Sequence, residues 1–215
     1  MKRPRLTPKV LLAEGKDEQW VLPELLDAAG VAWPSQAPPV WIEETNGIAT
    51  ILSSPVIETE LKTSGLRILG IVVDANGDIG ARWQSLSARL EMVIPGLPPE
   101  PRLEGVVHDR SDGIRVGLWI MPDNLERGML ETLLLRIRAG DGTLYDHARD
   151  AVAAARTKGA TFLEAHRDKA ELHTWLAWQD PPGQQLHAAV RAHALDARSP
   201  LAAPFVAWFR RLFDV

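Results

Sequence analysis

Residues 66–73, Leu-Arg-Ile-Leu-Gly-Ile-Val-Val, constrain the fold of this chain more than any other segment. A strand that is apolar at successive rather than alternate positions is covered on both faces. That is the pattern of a parallel sheet sandwiched between helices. The run stops at Asp74-Ala75-Asn76-Gly77-Asp78, a cluster of turn-forming residues. Shorter apolar runs at 10–13, 40–43 and 117–121 predict three more strands. Between them lie helical patterns. One spans 16–29, with Trp20, Val21, Leu25 and Leu26 on one face, Gly30 as its stop and a kink expected at Pro23. A second passes through Ile57 and Leu61, with a shorter helical stretch before Pro55. A third follows Gly80, with Trp83, Leu86 and Leu90 in register, and a fourth spans 129–137.

Alternation of strand and helix predicts an α/β fold, a small Rossmann-like parallel sheet of about four strands with helices on both faces. After Tyr145 only helical patterns remain, near 146–158, 165–178, 184–194 and 205–213. The expected division is therefore an α/β domain over 1–140 and a helical C-terminal extension over 141–215. The extension either covers a sheet edge or forms a subdomain. Trp175 and Trp178, three apart, are expected to pack it onto the sheet.

Composition removes several classes of function. Cysteine is absent from the 215 residues, which excludes disulfides, thiolate metal sites and cysteine nucleophiles. A net charge of -4 argues against a protein that coats nucleic acid through bulk positive charge. The acidic excess falls in the first 135 residues, and the rest is mildly basic. No apolar run reaches the roughly 18 residues of a membrane span. The basic start Met1-Lys2-Arg3 meets polar Glu14-Gly15-Lys16 too soon for a signal peptide, so the expectation is a cytoplasmic protein without membrane contact. No Walker loop, nucleophile elbow or glycine dinucleotide fingerprint is present.

In open parallel sheets, ligands bind where strands end at their carboxyl side. Three expected strands end in acids there: Glu14 after the first, Asp74 after the third, and Asp123 two residues past the last. Neighbouring strands lie about 4.8 Å apart, so such carboxylates can reach one hard cation. Glu18, four residues beyond Glu14, faces the same way on a helix, and Asp74, Asn76 and Asp78 alternate along one loop. Each also has a bland explanation. Glu18 complements a helix dipole, Asn76 and Asp78 are turn residues, and Asp123 can cap a helix.

Leu11-Leu12-Ala13-Glu14-Gly15-Lys16-Asp17-Glu18, followed by Ile71-Val72-Val73-Asp74-Ala75-Asn76-Gly77-Asp78, resembles the TOPRIM domain of topoisomerases, primases and OLD-family nucleases. The resemblance is closer still to a bacterial TOPRIM-like family of uncharacterised proteins. It extends through 117–124, 128–131, 166–170, the tryptophan-rich 174–178, and Pro182-Gly183. It implies a divalent-metal-dependent phosphoryl-transfer protein, a nuclease acting on DNA or RNA with Mg²⁺ or Mn²⁺. It further implies Glu14, Asp74 and Lys169 as catalytic residues. Glu14, Glu18, Asp74, Asn76, Asp78, Asp123 and Glu131 are the implied metal ligands. Asn76 departs from the family pattern of Asp-x-Asp, removing one negative charge from the site; Asp78 is the residue that can stand in. Tyr145, the sole tyrosine, lies outside the motifs, which disfavours a topoisomerase, and little room is left for primase template handling. The alternative is a catalytically inactive TOPRIM-like module that works with a partner such as an ATPase.

Overall fold

The computed structural model describes residues 7–53 and 55–215. Its elements are β1 Lys9–Ala13, α1 Lys16–Ala28, β2 Trp41–Glu44, α2 Ile48–Ser53, α3 Val56–Leu61, β3 Ile68–Asp74 and α4 Ile79–Leu90. β4 Val106–Asp109, β5 Arg115–Met121, α5 Leu130–Arg136, α6 Thr143–Thr157, a 3-10 turn Glu164–His166, α7 Arg167–Leu176, α8 Leu186–Arg191 and α9 Ala203–Phe213 complete the chain. The sheet runs in the order β2-β1-β3-β5-β4. The first four strands are parallel and β4 is antiparallel to β5. The expected α/β class and small parallel sheet are therefore what the chain forms, with one strand more than expected. β4 escaped because its two valines are followed at once by His108 and Asp109, too short a run to show a period. α1 runs through Pro23 over nearly the whole expected span.

Strand alternation sorts the core into two layers. Leu11, Ala13, Val72, Trp119 and Met121 point to one face and pack with α1, α5, α7, α8 and α9. Val10, Leu12, Leu69, Ile71, Val73, Val116, Leu118 and Ile120 point to the other and pack with α2, α3 and α4. Every residue of β3 before Asp74 is buried, as the apolar run requires.

Of the C-terminal helices, α9 covers a face of the sheet, while α8 packs on α1, α7 on α5, and α6 on α7. α9 lies across β3, β5 and β4 because glycines clear its path. Gly70 and Gly117 are register partners. A Cβ on Gly70 would stand 2.8 Å from Phe213, and one on Gly117 2.6 Å from Leu212. The Trp208 indole N–H donates to the Val106 carbonyl at 2.9 Å, tying α9 to the edge strand. Trp175 is buried on α7, which packs against α5 and α6, whereas Trp178, past the end of α7, is 41% exposed and stacks on His147. Among the described residues, no helix is long and apolar enough to cross a membrane.

Candidate metal centre

The chain leaves β1 for β2 on one side, then returns past β1 to add β3 on the other. That reversal makes the carboxyl ends of β1 and β3 a topological switch point, where adjoining crossovers diverge and leave a crevice. A cleft of about 690 Å³ opens there. Glu14, Gly15, Lys16, Asp17 and Glu18 line it from β1 and α1, Glu44, Asn46 and Gly47 from the end of β2, and Asp74 and Asn76 from the end of β3. Met129 and Glu131 come from the start of α5, and His166 and Lys169 from the C-terminal helices.

Short bonds tie these side chains to backbone. The Asp74 N–H donates to Glu14 Oε2 at 3.1 Å, so the first and third strand ends are joined directly. Asp74 Oδ1 accepts from the Leu130 N–H at 3.0 Å, which fixes the start of α5 against β3. Glu18 Oε2 accepts from the Gly15 N–H at 3.2 Å, closing the turn before α1. Lys169 reaches across from α7 to Asp17 at 2.8 Å and to Glu131 at 2.9 Å.

The electrostatics are those of crowded acids, two of them buried. Burial, reinforced by Glu131, Glu14 and Asp17, pushes the Glu18 carboxyl up to about 7, against the pull of its backbone hydrogen bond. Burial and the charges of Glu18, Glu14 and Glu131 likewise hold Asp74 well above the usual carboxylate range. Burial alone would lower the Lys169 ammonium. Its hydrogen bonds with Asp17 and Glu131 outweigh that and raise it, so it is charged at neutral pH.

Of the residues expected from sequence, Glu14, Glu18, Asp74, Asn76, Glu131 and Lys169 line this one cleft. Asp78 and Asp123 are not among its lining residues. Asp78 caps α4, accepting from the Ala81 N–H at 3.0 Å. Asp123 accepts from the N–H groups of Leu125 and Glu126 and pairs with Arg136 at 2.6 Å. Asn76 holds a left-handed backbone, φ 56°, and exchanges two backbone hydrogen bonds with Gly128 at 2.7 and 2.9 Å. Asn tolerates that conformation well, which accounts physically for an amide at this position.

Sequence reasoning missed Asp17, Glu44, Asn46, Lys16 and His166. Glu44 had a legible signal, since it is the acid that ends β2; the expected strand stopped one residue short of it. His166 opens the resembling segment 166–170, but only tertiary packing brings the turn before α7 to the sheet edge.

The donors are carboxylate oxygens plus the Asn76 amide, the chemistry suited to Mg²⁺ or Mn²⁺. Buried, mutually repelling carboxylates are also groups that a divalent cation would stabilise. As the side chains stand, no three Asp, Glu or His among the described residues converge on one point. The donor set fits a hard cation in kind, and its closure would require side-chain rotation.

Fold and cleft together define an α/β protein with a mostly parallel five-stranded sheet and an acid-lined crevice at its switch point. The chain belongs to the family DUF3226, a protein family of unknown function, whose model matches residues 8–214. No curated protein matches the sequence. Among solved structures, the chain is similar to the C-terminal region of the Burkholderia pseudomallei OLD protein. Identity is 14%, coverage 95% of this chain and 96% of that one, and the TM-score 0.49. It is also similar to the C-terminal region of the Xanthomonas campestris pv. campestris OLD protein, at 12% identity, 97% and 93% coverage, and a TM-score of 0.41.

Proposed function

We propose that this chain is a divalent-metal-dependent phosphoryl-transfer protein, a nuclease that hydrolyses phosphodiester bonds in DNA or RNA. One observation supports this above the rest: Glu14, Glu18, Asp74 and Glu131 line a single cleft, and burial among these acids raises the carboxyls of Glu18 and Asp74. These four would hold Mg²⁺ or Mn²⁺, with the Asn76 amide oxygen as a neutral donor. A bound ion would polarise a phosphodiester oxygen and lower the pKa of a water molecule. Lys169, held charged by Asp17 and Glu131, supplies positive charge on the cleft wall where negative charge develops on the leaving oxygen. Glu14 and Asp74, bonded to each other through the Asp74 N–H, keep the two central strand ends in fixed relation.

The test is cleavage of end-labelled DNA and RNA by the purified protein with Mn²⁺ or Mg²⁺. Metal-stimulated cleavage lost in Glu14→Gln supports the reading. Cleavage unchanged in that variant would contradict it.

A second reading is favoured by Asn76, which leaves the Asp-x-Asp pattern one charge short. On that reading the protein is an inactive binding module that acts with a partner, and the sequence resemblance points to an ATPase. It predicts nucleic-acid binding without cleavage in both wild type and Glu14→Gln.

A further inference from the structure

A patch of opposite sign adjoins the acidic cleft. In the 3-10 turn that ends at His166, the Glu164 carboxylate accepts from Arg167 Nε at 2.6 Å and from Arg167 Nη2 at 3.2 Å. Arg156, at the end of α6, pairs with the same carboxylate and lies 5.2 Å over the Phe162 ring. Arg127 adds to the positive field there, and the three guanidinium groups, Arg167 foremost, hold Glu164 below the usual carboxylate range. Arg127 immediately precedes Gly128, whose backbone is paired with cleft-lining Asn76, and His166 itself lines the cleft. The patch is thus continuous with the rim.

Other acids nearby are already engaged. Glu171 lies 4.0 Å from Arg167 but is buried and accepts from the Tyr145 hydroxyl at 2.6 Å, and Glu126 pairs with Arg136 at 2.6 Å. Asp168, which also acts on Arg167, is half-buried and accepts from the Thr132 hydroxyl, so Glu164 is the exposed carboxylate among these three arginines. Exposed ion pairs contribute only about 0–1 kcal/mol each, so stability gives little reason for the excess. Guanidinium groups do match phosphate oxygens in shape and charge. The cleft's own acids repel a polyanion, so a phosphate chain must approach over a positive border.

We infer that Arg127, Arg156 and Arg167 form the subsite that takes the phosphodiester backbone of a nucleic-acid strand as it enters the carboxylate cleft. The inference rests on the proposed function for the direction of entry. Glu164 occupies the Arg156 and Arg167 guanidinium groups until phosphates displace it.

The test is fluorescence anisotropy with labelled single-stranded DNA, single-stranded RNA and duplex DNA, in EDTA and in Ca²⁺, across a NaCl series. The arm that binds most tightly identifies the strand type. Arg127→Glu/Arg156→Glu/Arg167→Glu should weaken that binding at least tenfold and flatten the log K against log[salt] slope by about 2. Glu164→Gln should tighten it, an effect that a purely structural ion cluster does not produce. Lys62→Glu, on the opposite helical layer, reverses one charge as Arg156→Glu does and should change binding far less.

Failure of wild type to bind any of the three nucleic acids would overturn the inference. So would equal losses in Lys62→Glu and Arg156→Glu, or a folded triple variant that binds like wild type. Metal titration of the same proteins keeps the two claims apart. Arginine-dependent binding in a protein that takes up no metal would leave the subsite standing and remove the nuclease reading.

Discussion

Glu18 has only 4% of its surface exposed, yet it stands among four other acids, Glu14, Asp17, Asp74 and Glu131. Burial and the neighbouring acids push its carboxyl from the usual 4.5 up to about 7 in the folded chain. Between those limits the folded state binds more protons than the unfolded one, so stability falls as pH rises through that window. Metal-free protein should accordingly be more stable at pH 5 than at pH 7.5, by at most about 3 kcal/mol, and melt at a higher temperature. Glu18→Gln should flatten this dependence, and a melting series in buffered EDTA reads it. Asp74→Asn is a companion case. It keeps the oxygen that accepts from Leu130 but removes a repelled charge. The metal-free variant should be more stable than wild type by about 1–2 kcal/mol in urea unfolding, while losing affinity for Mn²⁺. Strand-end logic made Glu14, Glu18 and Asp74 legible in the sequence. It misled for Asp123, because the chain after β5 turns back on itself there, and Glu131 enters the cleft instead.

At the scale of elements, the approach of α9 to the sheet depends on hydrogen atoms at Gly70 and Gly117. Gly117→Ala forces its methyl group into Leu212, and overpacking of this kind costs about 1–3 kcal/mol. Urea unfolding should show that loss, with Gly77→Ala, where a Cβ meets nothing within 4 Å, as the mild control. The sequence announced β3 and β5 plainly, through unbroken apolar runs. It could not announce β4, whose place comes from pairing with β5 and from the Trp208 hydrogen bond, both remote in sequence. Nor did periodicity reveal that the last amphipathic helix covers a sheet face, since helical spacing says that a stripe is buried but not against what.

For the molecule as a whole, two layers of helices enclose the sheet and leave its carboxyl edge open at the β1/β3 reversal. Local patterns fixed the class of fold. The cleft required long-range closure, since Lys169 reaches Asp17 across 152 positions of sequence. Because that ammonium competes with a cation for the same acids, Lys169→Met should bind Mn²⁺ at least as tightly as wild type yet cleave more slowly. The most direct measurement is calorimetric titration of Mn²⁺ into wild type and Asp74→Asn. Saturable binding in wild type that disappears in the variant is the predicted result. No uptake by wild type at millimolar Mn²⁺, or equal uptake by both proteins, would contradict a metal centre at the ends of β1 and β3.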